Sequence, residues 1–238
     1  MAAAMCARRR HAFTLTELVI VIAVLSLLTA ILLPAVRLAR QAGFQVQCAG
    51  RLRAIGQAFH SYTLDNDGHM PTCRASGVSS SNWLFWQGGR DINQSALASY
   101  LGLKGNDLRQ AFRCPAAPPE NQLGFQGGAK YPLTFSMNGF LGTAYPSMTF
   151  QQVRNPARKI IVYDENENAD DDIFWYKTDR DTLAGRHGTR SSQVADINGY
   201  GTKTVNRQMG NVLYFDGHTD LADNQACHTP DYNDPNVP

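Results

Sequence analysis

Hydrophobic positions are distributed unevenly along this chain, and the densest run comes first. From Phe13 to Leu33 the sequence FTLTELVIVIAVLSLLTAILL holds 21 residues and one charge, Glu17. As a helix it is about 30 Å long, the thickness of the hydrocarbon core of a bilayer. A secretory signal peptide is the competing reading, but its apolar region is typically about 7–15 residues and ends in a small-x-small exit. This run is longer and leads into a second helical pattern. Cys48, Leu52, Ile55, Phe59 and Tyr62 recur at spacings of 4, 3, 4 and 3, while Arg37, Arg40, Arg51 and Arg53 lie mostly off that stripe. Pro34 is expected to bend the helix rather than end it. Asp65 to Gly68, DNDG, followed by Pro71, is a stop signal. The pattern predicts one helix from Phe13 to Leu64, about 78 Å long, with residues 13–33 in lipid and 34–64 as an amphipathic half packed on a head domain.

Residues 65–238 change character to short apolar runs between loops. Asn138-Gly139, Asn198-Gly199 and Asp216-Gly217 punctuate them as turns, and the clearest strands are Lys159 to Tyr163 and Asn211 to Phe215. Brief apolar strands of this kind suit burial between a long helix and loops. The expected fold class is α+β, with a small, mainly antiparallel sheet rather than a βαβ repeat. No fixed-period repeat is visible.

Charge then orients the picture. The chain carries 22 Lys+Arg against 20 Asp+Glu, and Arg8, Arg9 and Arg10 crowd ahead of the apolar run. By the positive-inside rule these arginines hold the N-terminus in the cytoplasm and send the rest outside. Without them the balance is 19 against 20, which leaves no basic surface to suggest a nucleic-acid partner. Glu17 needs its own explanation, because an acid at depth costs roughly 2.5–3.5 kcal/mol on insertion scales. Either it reaches the headgroups from near the helix end, or it has a positive partner. The span contains no Lys or Arg, but cleavage before Phe13 would free an α-amine at the membrane surface.

The run RRRHAFTLTEL resembles the N-terminus of type IV prepilins and pseudopilins: a short basic leader, a small residue, Phe, and a Glu fifth in the mature chain. Counted from Phe13, Glu17 is fifth and Pro34 twenty-second, where many pilins carry a kinking Pro. Ala12 stands where the family usually has Gly. The resemblance implies a leader at residues 1–12, cleavage between Ala12 and Phe13 by the prepilin peptidase, and N-methylation of Phe13, which keeps the amine charged. In such filaments Glu17 would face a neighbouring subunit's N-terminal amine.

A second resemblance covers the head. Cys48 with Leu52 and Ile55, Tyr62 and DNDG, Trp83 and Trp86, Cys114-Pro115, Ser136-Met137-Asn138, KIIVYDE, RHG and NVLYFDGH together resemble prepilin-like proteins abundant in planctomycetes. That family is marked by a His and, about nine residues later, an Asp-Gly. Here His187 and Asp216-Gly217 are separated by 28 residues, which implies an inserted polar loop at about 189–209. Arg51 also replaces the family's usual Asn.

The chemistry-bearing residues admit several readings. Asp216-Gly217 most simply forms a hairpin turn with Gly217 at positive φ. Asp164, Glu165, Glu167, Asp170, Asp171, Asp172, Asp216 and Asp220 offer oxygen ligands of the kind calcium takes, and some pseudopilins bind calcium. Asp164, Glu165 and Asp216 are the candidates, although DENENADDD lacks EF-hand spacing. No other cofactor is expected. His187, His218 and His228 with Asp216 invite a metal or catalytic reading, but no G-x-S-x-G, H-E-x-x-H, Walker or Rossmann pattern accompanies them. His187 is instead expected to pack and bond a loop backbone. Of five cysteines, Cys6 leaves with the leader. Cys73 and Cys114, both in Pro-flanked loops, are the expected disulfide in an oxidising compartment, and Cys48 is expected to pack on the stripe. Trp83, Phe85 and Trp86 cap a core edge or form a sugar platform.

The expectation is a non-enzymatic, pseudopilin-like structural subunit. It is anchored in the inner membrane by a single pass and then assembles with other pilin-like subunits into a filament in the periplasm or at the cell surface. The system would be of the type II secretion or type IV pilus kind. The alternative class is an anchored extracytoplasmic ligand-binding or adhesive module that never polymerises.

Overall fold

The computed structural model describes residues 14–73, 81–85, 90–119, 133–142, 148–166, 173–174, 182–195 and 202–236. Residues 1–13, Trp86, Glu167, Asp170, Asp171, Asp172 and the Asn198-Gly199 pair lie outside them. The chain divides into two compact units, Met1–Gln41 and Ala42–Pro238.

Helix α1, Leu15–Asp65, runs through Pro34. It ends where DNDG predicts: Gly68, at φ 80°, donates its N–H to Thr63 O at 2.8 Å and closes the last turn. In the first unit the described part is helix alone, and its apolar side chains, among them Leu18, Ile20, Leu27 and Ile31, are all exposed. Ser26 and Thr29 turn their hydroxyls back onto Ile22 O and Leu25 O, at 2.7 and 3.0 Å. Their polar atoms are thereby satisfied within the helix.

The second unit is a three-layer head. Short helices α2 (Ala98–Leu101) and α3 (Gly105–Ala111) precede strand β1 (Phe135–Asn138), and α4 (Gly139–Gly142) follows it. Then come β2 (Ile160–Asp164), β3 (Ile173–Phe174), β4 (Thr189–Ala195), β5 (Thr202–Tyr214) and β6 (Thr219–Asp223), and finally α5 (Asn224–Cys227) and α6 (Pro230–Asn233). The strands form one six-stranded sheet in the order β3-β1-β2-β5-β4, with β6 also on β5. Every pairing is antiparallel except β1 with β3.

Strand β5 serves two partners along its length. Its far half, Thr202–Gln208, pairs only with β4, whereas Met209–Leu213 pairs with β6 and the same stretch meets β2 through Val212, Leu213 and Tyr214. The segment 189–209, expected to be a loop, is therefore a two-stranded ribbon over most of its length. Its TRSSQVA and TKTVNRQM runs are polar but rich in Thr and Val, which suit an extended strand.

The near half of the sheet is buried on both faces, which explains why its strands read as continuous apolar runs. Leu213 and Phe215 join one core with Cys48, Leu52, Ile55 and Phe59 of α1, the predicted stripe, while Val212 and Tyr214 join a second core with Tyr163, Phe174 and Cys227. A register shift between Ile160 and Val162 lets Ile160 and Tyr163 share the second core while Ile161 and Val162 share the first. Gly56 is what brings α1 down onto the sheet, since a Cβ there would sit 3.0 Å from Leu213 Cδ1. The C-terminal helices cover the other face. Asn233 bonds Cys227 O at 2.6 Å and Thr229 O at 2.7 Å and accepts from the Tyr163 hydroxyl, and Lys159 Nζ donates to Asp231 O at 2.6 Å.

Trp83 is fully buried, stacked on Phe59 at 5.9 Å and edge-on to Phe112 at 5.7 Å. Phe85 is buried too. A carbohydrate platform needs exposed ring faces, so these two are core residues and that reading falls.

Candidate functional site

The N-terminal segment supplies the first site. Thr14 donates to Glu17 Oε2 from both its N–H, at 2.9 Å, and its hydroxyl, at 2.7 Å, while Glu17 N–H donates to Thr14 Oγ1 at 3.3 Å. This is a capping box, in which a Thr and a Glu three residues on satisfy the orphan N–H groups of a helix start. The acid that looked unpartnered is thus bonded within its own helix. The signal, Thr-Leu-Thr-Glu, was present in the sequence. Glu17 Oε1 has no partner among the described residues. Ala12 and Phe13, the expected cleavage and methylation positions, lie outside the described residues.

The family-motif residues of the head part company. Asp216 and Gly217 form the turn from β5 to β6, with Gly217 at φ 91° and its N–H on Tyr214 O at 3.0 Å, the hairpin expected from Asp-Gly. Asp216 Oδ1 meets His218 Nδ1 at 2.5 Å in an exposed pair, and the His218 ring stacks on Tyr214 at 4.2 Å. His187 lies elsewhere, in the loop before β4, with its N–H on Met209 O at 3.0 Å. His187 is packed as expected, but the expected bond to a loop backbone is not found among the described residues: Met209 belongs to β5, and the imidazole ring meets side chains instead. His228 packs against Phe174 at 5.7 Å. The three histidines therefore form no common cluster.

The calcium candidates are separated as well. Tyr214, beside the Asp216 turn, pairs with Ile160 at one end of β2, and Asp164 stands at the other. Four residues of strand are about 13 Å. Glu165, buried next to Asp164, accepts from the Ser136 hydroxyl, and each acid already has its own partner. Asp164, Glu165 and Asp216 thus do not converge on one ion.

What does converge lies under α1. Cys48 on the stripe, Cys114 beyond α3, Asp164 at the end of β2 and His187 place one donor atom each within 4.8 Å of one another. Cys114 Sγ is 3.2 Å from His187 Nε2, which is 3.2 Å from Asp164 Oδ2, and Cys48 Sγ is 3.8 Å from the same oxygen. All four residues are buried. Local bonds fix two of them: Cys114 N–H donates to Thr134 Oγ1 at 2.6 Å, and Arg186 Nη1 donates to Asp164 Oδ1 at 2.5 Å and to the neighbouring Glu165 O at 2.8 Å. No disulfide joins Cys73 to Cys114. The Cys114 thiol faces this group, and Cys48, Cys73, Cys114 and Cys227 are all buried and in the thiol form.

Proximity sets the electrostatics here. Burial pushes the His187 imidazolium down, but its bonds to Asp164 and Cys114 lift it to about 9. The bond with Cys48 draws the Cys114 thiol down to about 7 against burial, with His187 adding to the pull, while Cys48 is pushed upward by its bond to Cys114 and by burial. The trio Cys-His-Asp is not laid out as a nucleophilic relay. A relay orients the base through its second ring nitrogen, whereas thiol and carboxylate here meet the same Nε2 and Nδ1 is buried without a hydrogen bond.

Comparison with known proteins bears on the N-terminal site only. Residues 7–33 match the family described as the prokaryotic N-terminal methylation motif, the motif that implies processing by a prepilin peptidase. No curated protein and no solved structure matches the chain.

Proposed function

We propose that this chain is a pseudopilin-like structural subunit, cleaved between Ala12 and Phe13 by a prepilin peptidase, methylated on Phe13, and assembled with other pilin-like subunits into a filament. The system is of the type II secretion or type IV pilus kind, working from the inner membrane into the periplasm or to the cell surface. On this reading the head groups with the planctomycete-type prepilin-like proteins that carry a His and an Asp-Gly. The observation that carries the proposal is the coincidence of the methylation motif at residues 7–33 with a long helix whose apolar side chains are exposed among the described residues. Such a surface is stable in lipid before assembly and against sister helices after it.

Glu17 has a defined task in this scheme. Its bonds to Thr14 leave Oε1 for a neighbour's methylated amine, and that ion pair sets axial register while offsetting the cost of the carboxylate at depth. Pro34 relieves the helix as subunits pack. Head turnover chemistry has no part in the mechanism.

Mass analysis of the native N-terminus tests the proposal. A mature chain beginning with N-methyl-Phe13 is expected; a native chain that retains Arg8, Arg9 and Arg10 overturns it. Cross-linking in cells then separates assembly from solitary anchoring. Ladders of pilin-like subunits are expected from the native chain and only monomer from Glu17→Ala, whereas identical monomeric patterns would favour a non-polymerising, ligand-binding anchor.

A further inference from the structure

We infer that Cys48, Cys114, Asp164 and His187 bind one zinc ion, a structural metal site that ties α1 to the sheet. The geometry is that of a tetrahedral shell. Zinc bonds sulfur at about 2.3 Å and nitrogen or oxygen at about 2.0–2.1 Å, so the edges of its ligand tetrahedron are about 3.8 Å for S–S, 3.3 Å for N–O and 3.6 Å for mixed pairs. The observed N–O separation is 3.2 Å, the S–O separation 3.8 Å and the S–N separation 3.2 Å, with every donor within 4.8 Å of the others.

The donor chemistry selects the metal. Two thiolates, an imidazole and one carboxylate oxygen are the mixed set zinc favours; calcium takes oxygen alone, and a soft cuprous ion would not recruit Asp164. Four protein donors, all buried, leave no open position for substrate, which marks a structural rather than a catalytic site. The second shell is in place on the carboxylate. Asp164 offers Oδ2 to the group while Oδ1 is held by Arg186. The three anionic donors are balanced by the divalent ion together with that guanidinium, so the bound site is neutral in a dry interior. Binding would release the protons of both thiols.

A Cys48–Cys114 disulfide is the rival use of the same sulfurs. It would leave His187 Nε2 and Asp164 Oδ2 with only each other, 3.2 Å apart, and would withdraw the thiols that now lie against them. The metal uses all four groups, and it closes contacts 116, 73 and 23 residues apart in sequence. Cross-links over such distances constrain the unfolded chain strongly, so the head is expected to fold with its metal.

The test uses the full chain purified in detergent without chelator or reductant. Elemental analysis should find about one zinc per chain, and X-ray absorption should show two sulfurs at about 2.3 Å and two lighter donors at about 2.0–2.1 Å. Cys114→Ser and Asp164→Asn should each lose the bound zinc, while Cys73→Ser and Cys227→Ser keep it. Should the site variants fail to fold, cobalt exchanged into the native chain decides: a tetrahedral spectrum with thiolate charge transfer supports the site, an octahedral one overturns it. Folded native protein that neither carries nor takes up zinc overturns the inference, as does an intact mass two hydrogens light with a Cys48–Cys114 peptide.

Discussion

Thr14→Ala separates the two duties assigned to Glu17. Of the three bonds in the capping box, the substitution removes the 2.7 Å hydroxyl bond to Oε2 and the 3.3 Å bond from Glu17 N–H, and leaves the 2.9 Å backbone bond. Loss of an N-cap side chain costs about 0.5–2 kcal/mol. Because this cap is exposed in the isolated chain, the lower half of that range applies, about 1 kcal/mol, or roughly a fivefold rise in opening of the first turn. Thr14→Ser restores the hydroxyl and should restore the helix start. The assay is amide hydrogen exchange of residues 15–18 in the native chain and both variants, held in detergent. Faster exchange confined to the first turn of Thr14→Ala is expected. Filament incorporation of the same variant should fall only modestly, since the Glu17 charge survives. Glu17→Gln should do the reverse, because an amide still accepts the Thr14 bonds but cannot pair with a neighbour's amine. Unchanged exchange in Thr14→Ala would refute the cap, and normal incorporation of Glu17→Gln would refute the register role.

Three further outcomes concern the head. Gly210→Ala places a Cβ 2.5 Å from Ala184 O and 2.7 Å from Leu183 Cγ; a backbone atom cannot yield cheaply, and thermal melts should show a loss of about 1–3 kcal/mol. Trp83→Ala removes a buried ring that touches Phe59 and Phe112, and denaturant titration should register about 3–5 kcal/mol. Asp223 caps α5 and accepts from Arg207 at 2.9 Å; burial pushes its pKa up, but the Arg207 and Ala226 bonds prevail and hold it below the ordinary value. A carboxylate depressed in the folded state adds stability that is full above its unfolded pKa, about 3.9, and is lost as pH falls through the folded one. Asp223→Asn should therefore lower stability at neutral pH and flatten this part of the acid limb, and an unaltered acid profile would show that the pair contributes nothing.

Much of the architecture could be read in advance because local period and turn chemistry carried it. The spacing of Cys48, Leu52, Ile55, Phe59 and Tyr62 is that of one helix face, and Asp-Gly between apolar runs is a hairpin signal; neither needs long-range knowledge. The ribbon at 189–209 was missed because polar composition mimics a loop when a strand has no apolar face to advertise it. The Cys-Cys-Asp-His group escaped for another reason. Its members come from four separate segments, each with a bland local explanation, and only the sheet register that sets Asp164 beneath α1 reveals their meeting. With Glu17, the charge in an apolar run drew attention outward to a neighbour, although Thr14 three residues earlier was a nearer answer.

Strand β5 also constrains where the protein can change length. Its last residues alternate between two separate cores, so deleting one residue from Asn211–Tyr214 would transpose every apolar side chain between them. Past Gln208 the strand has β4 alone for company, and the reciprocal bonds of His187 and Gly188 with Met209 clamp the base of that ribbon. Growth between His187 and Asp216 is thus channelled beyond the clamp. There, residues added in matched pairs, one to each strand, extend the ribbon tip while the folded body beneath keeps its alignment.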